Sequence, residues 1–145
     1  MPKSHRPSAS STPTDSFGRT ELHDAAIEGD GPRCRQLLAE NTNPNVVDTL
    51  GWTPLHYAAQ RQAIEVVDAL LAAGATVDAL DKHGNSPLGN AVFSSHGNGL
   101  VIERLRAAGA DPYLANLHGV SPIRLARTIA NFDVAQFFED LPVEA

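Results

Sequence analysis

Six histidines and a single cysteine are the side chains of this 145-residue chain best suited to metal binding, proton transfer or nucleophilic attack. A zinc site needs several ligands converging on one ion, usually with short local spacings. His23 and His56 stand 33 residues apart, and His83, His96 and His118 fall in separate loop stretches without ligand spacing. Cys34 has no second cysteine to pair with, so it forms no internal disulfide and fits a reducing compartment. There is no glycine loop to cradle phosphate, no serine elbow and no paired-carboxylate motif. The expectation is a non-enzyme with no catalytic residue, cofactor or metal. A small metal-dependent hydrolase using the loop histidines is the remote alternative, which tight zinc in the purified protein would revive.

Composition narrows the class of partner. Apolar residues make up 42% of the chain, with no run near the ~20 that a membrane helix requires. The start, MPKSHRPSASSTPT, carries Lys3 and Arg6 but no apolar stretch behind them, so it does not read as a secretory signal. The expected location is cytoplasmic. Eleven basic residues oppose seventeen acidic ones, a net charge of −6, and setting aside residues 1–14 leaves nine against seventeen, or −8. An acidic body disfavours nucleic acid and anionic membranes and suits a basic partner, although it also serves solubility. Residues 1–14, rich in Ser, Pro and Thr, are expected to be a disordered tail.

The elements that position these side chains show in the repetition of the sequence. GRTELHDAA (18–26) returns as GWTPLHYAA (51–59), as GNSPLGNAV (84–92) and as GVSPIRLAR (119–127). Downstream, LLAAGATVD (70–78) answers LRAAGADPY (105–113), and LLAENTNPN (37–45) is a degraded first copy. Four copies are expected, at about 15–47, 48–80, 81–115 and 116–141, within a domain of residues 15–145.

Local chemistry explains each copy. Thr53 can cap a helix with its hydroxyl, and Pro54 fits the first helical position, where no N–H is needed. Ser86–Pro87 and Ser121–Pro122 repeat the device. Leu55, Ala58 and Ala59 give a short helix with a slim face, and Ile64, Val66, Val67, Leu70 and Leu71 give a second helix its apolar stripe. Gly74 stops that helix in a left-handed conformation. Asp81 and Gly84 then mark a projecting, hairpin-like turn before the next cap. Each unit is a turn followed by two antiparallel helices, so the fold class is all-α. Cys34 aligns with the core positions Val67 and Ile102, which implies a buried, inert thiol.

The 33-residue period with its TPLH signature resembles the ankyrin repeat, over about residues 15–141. The resemblance implies a solenoid of four stacked helix-turn-helix units, with the turns as projecting fingers and the first helices as a palm. Arg33 in the slot of Val66, and Glu139 in that of Leu71, fit end units facing water. It also implies that the imidazoles of His23 and His56 tie neighbouring turns together by hydrogen bonds. Stacked helices stand about 8–10 Å apart, which makes the two rings awkward partners for one metal ion, and the later copies have Gly89 and Arg124 instead. The third copy gains two residues in FSSHGNG (93–99), either a tolerated insertion or a contact loop that bulges outward at Gly97 and Gly99.

By the same resemblance, Trp52 points outward from a finger base, as do Arg19, Asn85 and Val120 in the other copies. It is either a partner's anchor or packed sideways on a neighbouring finger. Exposed palm and finger positions include Ser16, Phe17, Thr49, Leu50, Gln60, Arg61, Lys82, His83, Phe93, Leu117, His118 and Thr128, several of them apolar for solvent-facing sites. The candidate partner-binding set is Phe17, Arg19, Glu28, Leu50, Trp52, Gln60, Arg61, Lys82, His83, Asn85, Phe93, Ser94, His96, Leu117 and His118. The expected function is protein binding by a chain that is monomeric when free.

A second similarity is narrower. The four-unit build and the ending GADPYLANLHGVSPIRLARTIANFDVAQFFEDLP look like small bacterial ankyrin-type immunity proteins of polymorphic and type VI secreted toxins. This implies a cytoplasmic antitoxin gripping a basic toxin or effector domain, with Glu21, Asp24, Glu28 and Asp30 as the acids to reverse first. A general ankyrin adaptor or regulator is the alternative, and neighbouring genes would discriminate between them.

Overall fold

The computed structural model describes residues 15–129 and 131–142. The tail expected over residues 1–14 lies outside them. Seven α-helices follow one another: α1 (Glu21–Glu28), α2 (Gly31–Ala39), α3 (Pro54–Gln60), α4 (Ile64–Ala72), α5 (Pro87–Phe93), α6 (Leu100–Ala107) and α7 (Pro122–Thr128). A 3₁₀ turn over Val134–Phe138 completes the order, and the described residues contain no strand.

First helices start at a side-chain cap. Thr20, Thr53, Ser86 and Ser121 each accept a hydrogen bond from the backbone N–H three residues on, satisfying a donor the helix leaves open. Pro54, Pro87 and Pro122 follow the cap, where a missing N–H does no harm. Helix α1 packs on α3, α3 on α5 and α5 on α7, while α2, α4 and α6 form a second row behind. Leu22, Leu55, Leu88 and Ile123 occupy the same slot of successive units and are fully buried. Beside them the slim faces Ala25–Ala26, Ala58–Ala59 and Ala91–Val92 are also fully buried and let the rows approach closely.

The outer units differ as end units should. Arg33 is exposed where Val66 and Val101 are buried, and Arg127 is exposed where Ala26, Ala59 and Val92 are buried. The expected pair of helices fails in the fourth unit, whose second segment is only the short 3₁₀ turn. In this segment Val134 and Phe138 are buried while Gln136 and Glu139 are exposed. Arg106 fastens this end. Its guanidinium donates to both oxygens of Asp140, at 2.9 Å each, and to the Phe137 carbonyl at 2.8 Å.

The insertion in the third unit does not project as a free contact loop. Gly99 is buried against the ring of Phe137, which would lie 2.2 Å from a Cβ at that position. His96, at φ +50°, sets its ring edge-on to Phe132 at 5.5 Å. The two extra residues are taken up by contact with the last unit.

Candidate protein-binding groove

Each finger is closed by the same turn. The Oδ1 atoms of Asp15, Asp48, Asp81 and Asn116 each accept from two backbone N–H groups, two and four residues on. Such side-chain turns mimic a backbone turn and tolerate the glycine that follows at positive φ. At Gly51 and Gly84, φ is +78° and +80°, and a Cβ would sit 3.0 Å from the backbone nitrogen of the next finger, so only glycine fits. Single backbone hydrogen bonds then link finger to finger: Thr49 N–H to Phe17 C=O, Lys82 N–H to Leu50 C=O and Leu117 N–H to His83 C=O.

Beneath the fingers, two imidazoles lock the stack. Thr20 N–H donates to Nδ1 of His23 at 3.0 Å, and Nε2–H donates to the Trp52 carbonyl of the next unit at 2.8 Å. His56 repeats this with Thr53 N–H at 3.1 Å and the Asn85 carbonyl at 2.9 Å. An acceptor at Nδ1 and a donor at Nε2 define one neutral tautomer. Burial holds both histidines below their ordinary pKa, against the opposing pull of the carbonyl each meets. Asp48 joins finger to palm, since its second carboxylate oxygen accepts from the buried hydroxyl of Tyr57. Burial and that bond to a carboxylate push the Tyr57 phenol far above its usual range. Cys34 is fully buried, and desolvation pushes its thiol up to about 11. Among the described residues no three His, Cys, Asp or Glu side chains converge on a point fit for a metal ion.

Trp52 is not displayed in the open. It is half-buried, with its ring 4.7 Å from Tyr57 and 5.6 Å from His56 of its own unit. Its remaining face forms one wall of a groove of about 440 Å³ on the palm, between the second and fourth units. Gly89 and Asn90 form the low floor, Phe93 and Ser94 one end, and Leu114, Val120, Pro122 and Leu125 the opposite wall. The groove exists because α5 carries Gly89 and Asn90 where α3 carries His56 and Tyr57. Asn116 supports the far side by donating from Nδ2 to Oδ1 of Asn85 at 2.8 Å.

The candidate partner-binding residues therefore separate into groups. Trp52, Gln60, Asn85, Phe93, Ser94 and His118 line the groove, with Phe93 74% exposed. Phe17, Leu50, Lys82, His83 and Leu117 stand on the fingertips, with Leu117 76% exposed. Arg19 is held inward by Asp15 at 3.3 Å and lies over the rings of Phe17 and Tyr57. Arg61 reaches back across the palm, donating from Nε to the Ile27 carbonyl. Glu28 and His96 belong to neither group. Glu21 pairs with Arg33 at 3.2 Å, and Asp30 caps α2 through the Arg33 N–H. The groove floor and far wall were absent from the sequence-derived set; the replacement of histidine by Gly89 was the signal that marked them.

Comparison with known proteins agrees with this geometry. A family model for ankyrin repeats in three copies matches residues 22–116, and the chain belongs to the ankyrin-repeat family. It is 32% identical over 121 residues to the tyrosine-protein kinase Shark of Drosophila melanogaster, a match covering 83% of this chain and 13% of that protein. It is also similar to the human B-cell lymphoma 3 protein (29% identity; 87% of this chain, 36% of the relative). Human SH3 and multiple ankyrin repeat domains protein 2 matches at 28% over 87% of this chain and 7% of its own length. The chain thus spans well under half the length of these relatives. None of the helices over the described residues is long and apolar enough to cross a membrane.

Proposed function

We propose that this chain is a protein-docking module that seats a segment of its partner in the groove between Trp52 and Leu125, with the fingertips as flanking contacts. The observation that carries the reading is the exposure of Phe93, a large aromatic side chain 74% open to solvent at the mouth of an apolar groove. A scaffold already fixed by caps, imidazole bridges and finger turns loses little conformational freedom when a partner binds. Co-purification from the native host, with mass spectrometry of what stays bound, identifies the partner. Phe93→Asp is the decisive variant because the side chain is free of the core. Loss of the partner with unchanged thermal stability supports the groove, and retention at full affinity sinks it.

The narrower role as a cytoplasmic immunity protein neutralising a basic toxin rests on the resemblance of residues 109–142 to ankyrin-type immunity proteins. A toxin gene next to this one, and protection of a host expressing that toxin, are the tests. A solitary gene and a housekeeping partner favour a general adaptor. With Glu21 and Asp30 engaged inside the first unit, Glu28 is the acid whose charge reversal best tests an electrostatic contribution to toxin binding.

A further inference from the structure

The two buried imidazoles define a site that the third unit repeats without its occupant. In the first two interfaces the carbonyl after the finger glycine accepts two hydrogen bonds. Trp52 C=O takes Asp48 N–H at 3.0 Å and His23 Nε2–H at 2.8 Å; Asn85 C=O takes Asp81 N–H at 3.0 Å and His56 Nε2–H at 2.9 Å. In the third interface Val120 C=O takes Asn116 N–H at 3.0 Å, and Gly89 stands where a histidine would supply the second bond. The cap residue shows the same gap. Thr20 and Thr53 donate their N–H to Nδ1, whereas the N–H of Ser86 has no partner among the described residues.

The stack has not closed over this space. A Cβ at Gly89 would find one atom within 4 Å, the Ser86 hydroxyl oxygen at 3.9 Å. Ser86, Gly89 and Val120 all line the groove described above, so the niche opens to the palm. It offers a donor, Ser86 N–H, and an acceptor, Val120 C=O, in the places of the two groups that the His56 ring bridges one unit earlier.

We propose that this niche takes the neutral imidazole of a partner protein's histidine, which accepts from Ser86 N–H and donates to Val120 C=O and so completes the third interface in trans. The inference rests on the groove being the docking site, and it names the side chain that site selects. Histidine is favoured over a plain apolar side chain because Ser86 N–H would otherwise be buried unpaired under the partner, and Val120 C=O would keep only the bond from Asn116 N–H. It is favoured over lysine or arginine because those side chains bring donors and no acceptor for Ser86 N–H. The groove volume, about 440 Å³, leaves room for residues on either side of the histidine to lie against Trp52 and Phe93.

The test needs no knowledge of the partner. 4-Methylimidazole is titrated at pH 8, where most of the compound is neutral, into the wild-type protein, and backbone amide shifts are followed by NMR. Saturable shifts centred on Ser86, Gly89 and Val120, with a Kd on the order of 1 mM as befits a six-atom fragment, are expected. 1-Methylpyrrole, a ring of the same shape with neither N–H nor acceptor, is expected to bind at least tenfold more weakly. Gly89→His, which fills the niche in cis, should abolish the shifts and raise the melting temperature. N-acetyl-histidine-N-methylamide should bind at least tenfold more tightly than free histidine, whose charged termini would be desolvated. Absence of shifts at the three residues, equal binding of 1-methylpyrrole, or undiminished binding to folded Gly89→His overturns the proposal; tighter binding of free histidine overturns the assignment to a protein partner. Each of these results leaves the Phe93→Asp test of the docking groove standing on its own.

Discussion

His23 and His56 carry a pH dependence whose sign follows from their surroundings. Each is buried neutral, and protonating Nδ1 would place a proton against the Thr20 or Thr53 N–H that now donates to it. Their folded pKa values lie below the ordinary value of 6.5, so the unfolded chain takes up the extra protons as the pH falls through that point. The stabilisation is present above about pH 6.5 and is lost on acidification, by up to about 1.4 kcal/mol per pH unit for each histidine while the pH lies between the folded and unfolded values. Urea titrations at pH 7.5 and pH 5.5 should show this loss, and His56→Gln should flatten it. Equal midpoint shifts in wild type and variant would refute the assignment to His56. Cys34 gives a simpler expectation. With its thiol buried and held near 11, it should resist alkylation by iodoacetamide at neutral pH and react fully in denaturant.

At the scale of the element, the fourth finger differs from the others in having Asn116 where they have aspartate. The amide keeps the Oδ1 turn and gains a donor, which it spends on Asn85. Asn116→Asp preserves the turn but sets a carboxylate against the side-chain Oδ1 of Asn85, and should destabilise the protein by about 1–2 kcal/mol in chemical denaturation. Asn116→Ser, which keeps a short polar side chain without that repulsion, should cost less. The helical units were legible in the sequence because caps, prolines and the leucine slot recur with the 33-residue period. The 3₁₀ turn at Val134–Phe138 was not, because Val134 and Phe138 fall in the slots of Val66 and Leu70, so the segment reads as another second helix. The packing of Trp52 against its own unit was not legible either: its position in the repeat fixes where the backbone stands, while Tyr57, whose ring lies 4.7 Å from the indole, has no aromatic counterpart in the other units.

For the molecule as a whole, stability in a stacked array is a sum over units and interfaces, and within the described residues the first and last units each pack on a single neighbouring unit. Amide hydrogen exchange should therefore be fastest over residues 131–142 and slowest in α3 and α4, whose Leu55, Ala58, Val66, Val67 and Leu70 are fully buried. Uniform protection along the chain would contradict this. The docking groove was only partly readable in advance. Phe93, Gln60 and Asn85 stood out as solvent-facing by register, but a cavity is produced by side chains that are absent, and Gly89 in the slot of His56 marks it only once the size of the imidazole in that slot is considered.

Gly99 sets a limit on how such a protein can be recombined. The equivalent residue before α4 is Ala63, and a methyl group at that place in the third unit would overlap the Phe137 ring, 2.2 Å away. Putting the second unit in place of the third would thus require the Phe137 ring to turn aside, and would remove the Arg106 guanidinium that holds Asp140 and the Phe137 carbonyl. The last two units are tied by contacts specific to them, and unit duplication is expected to cost least stability upstream of them.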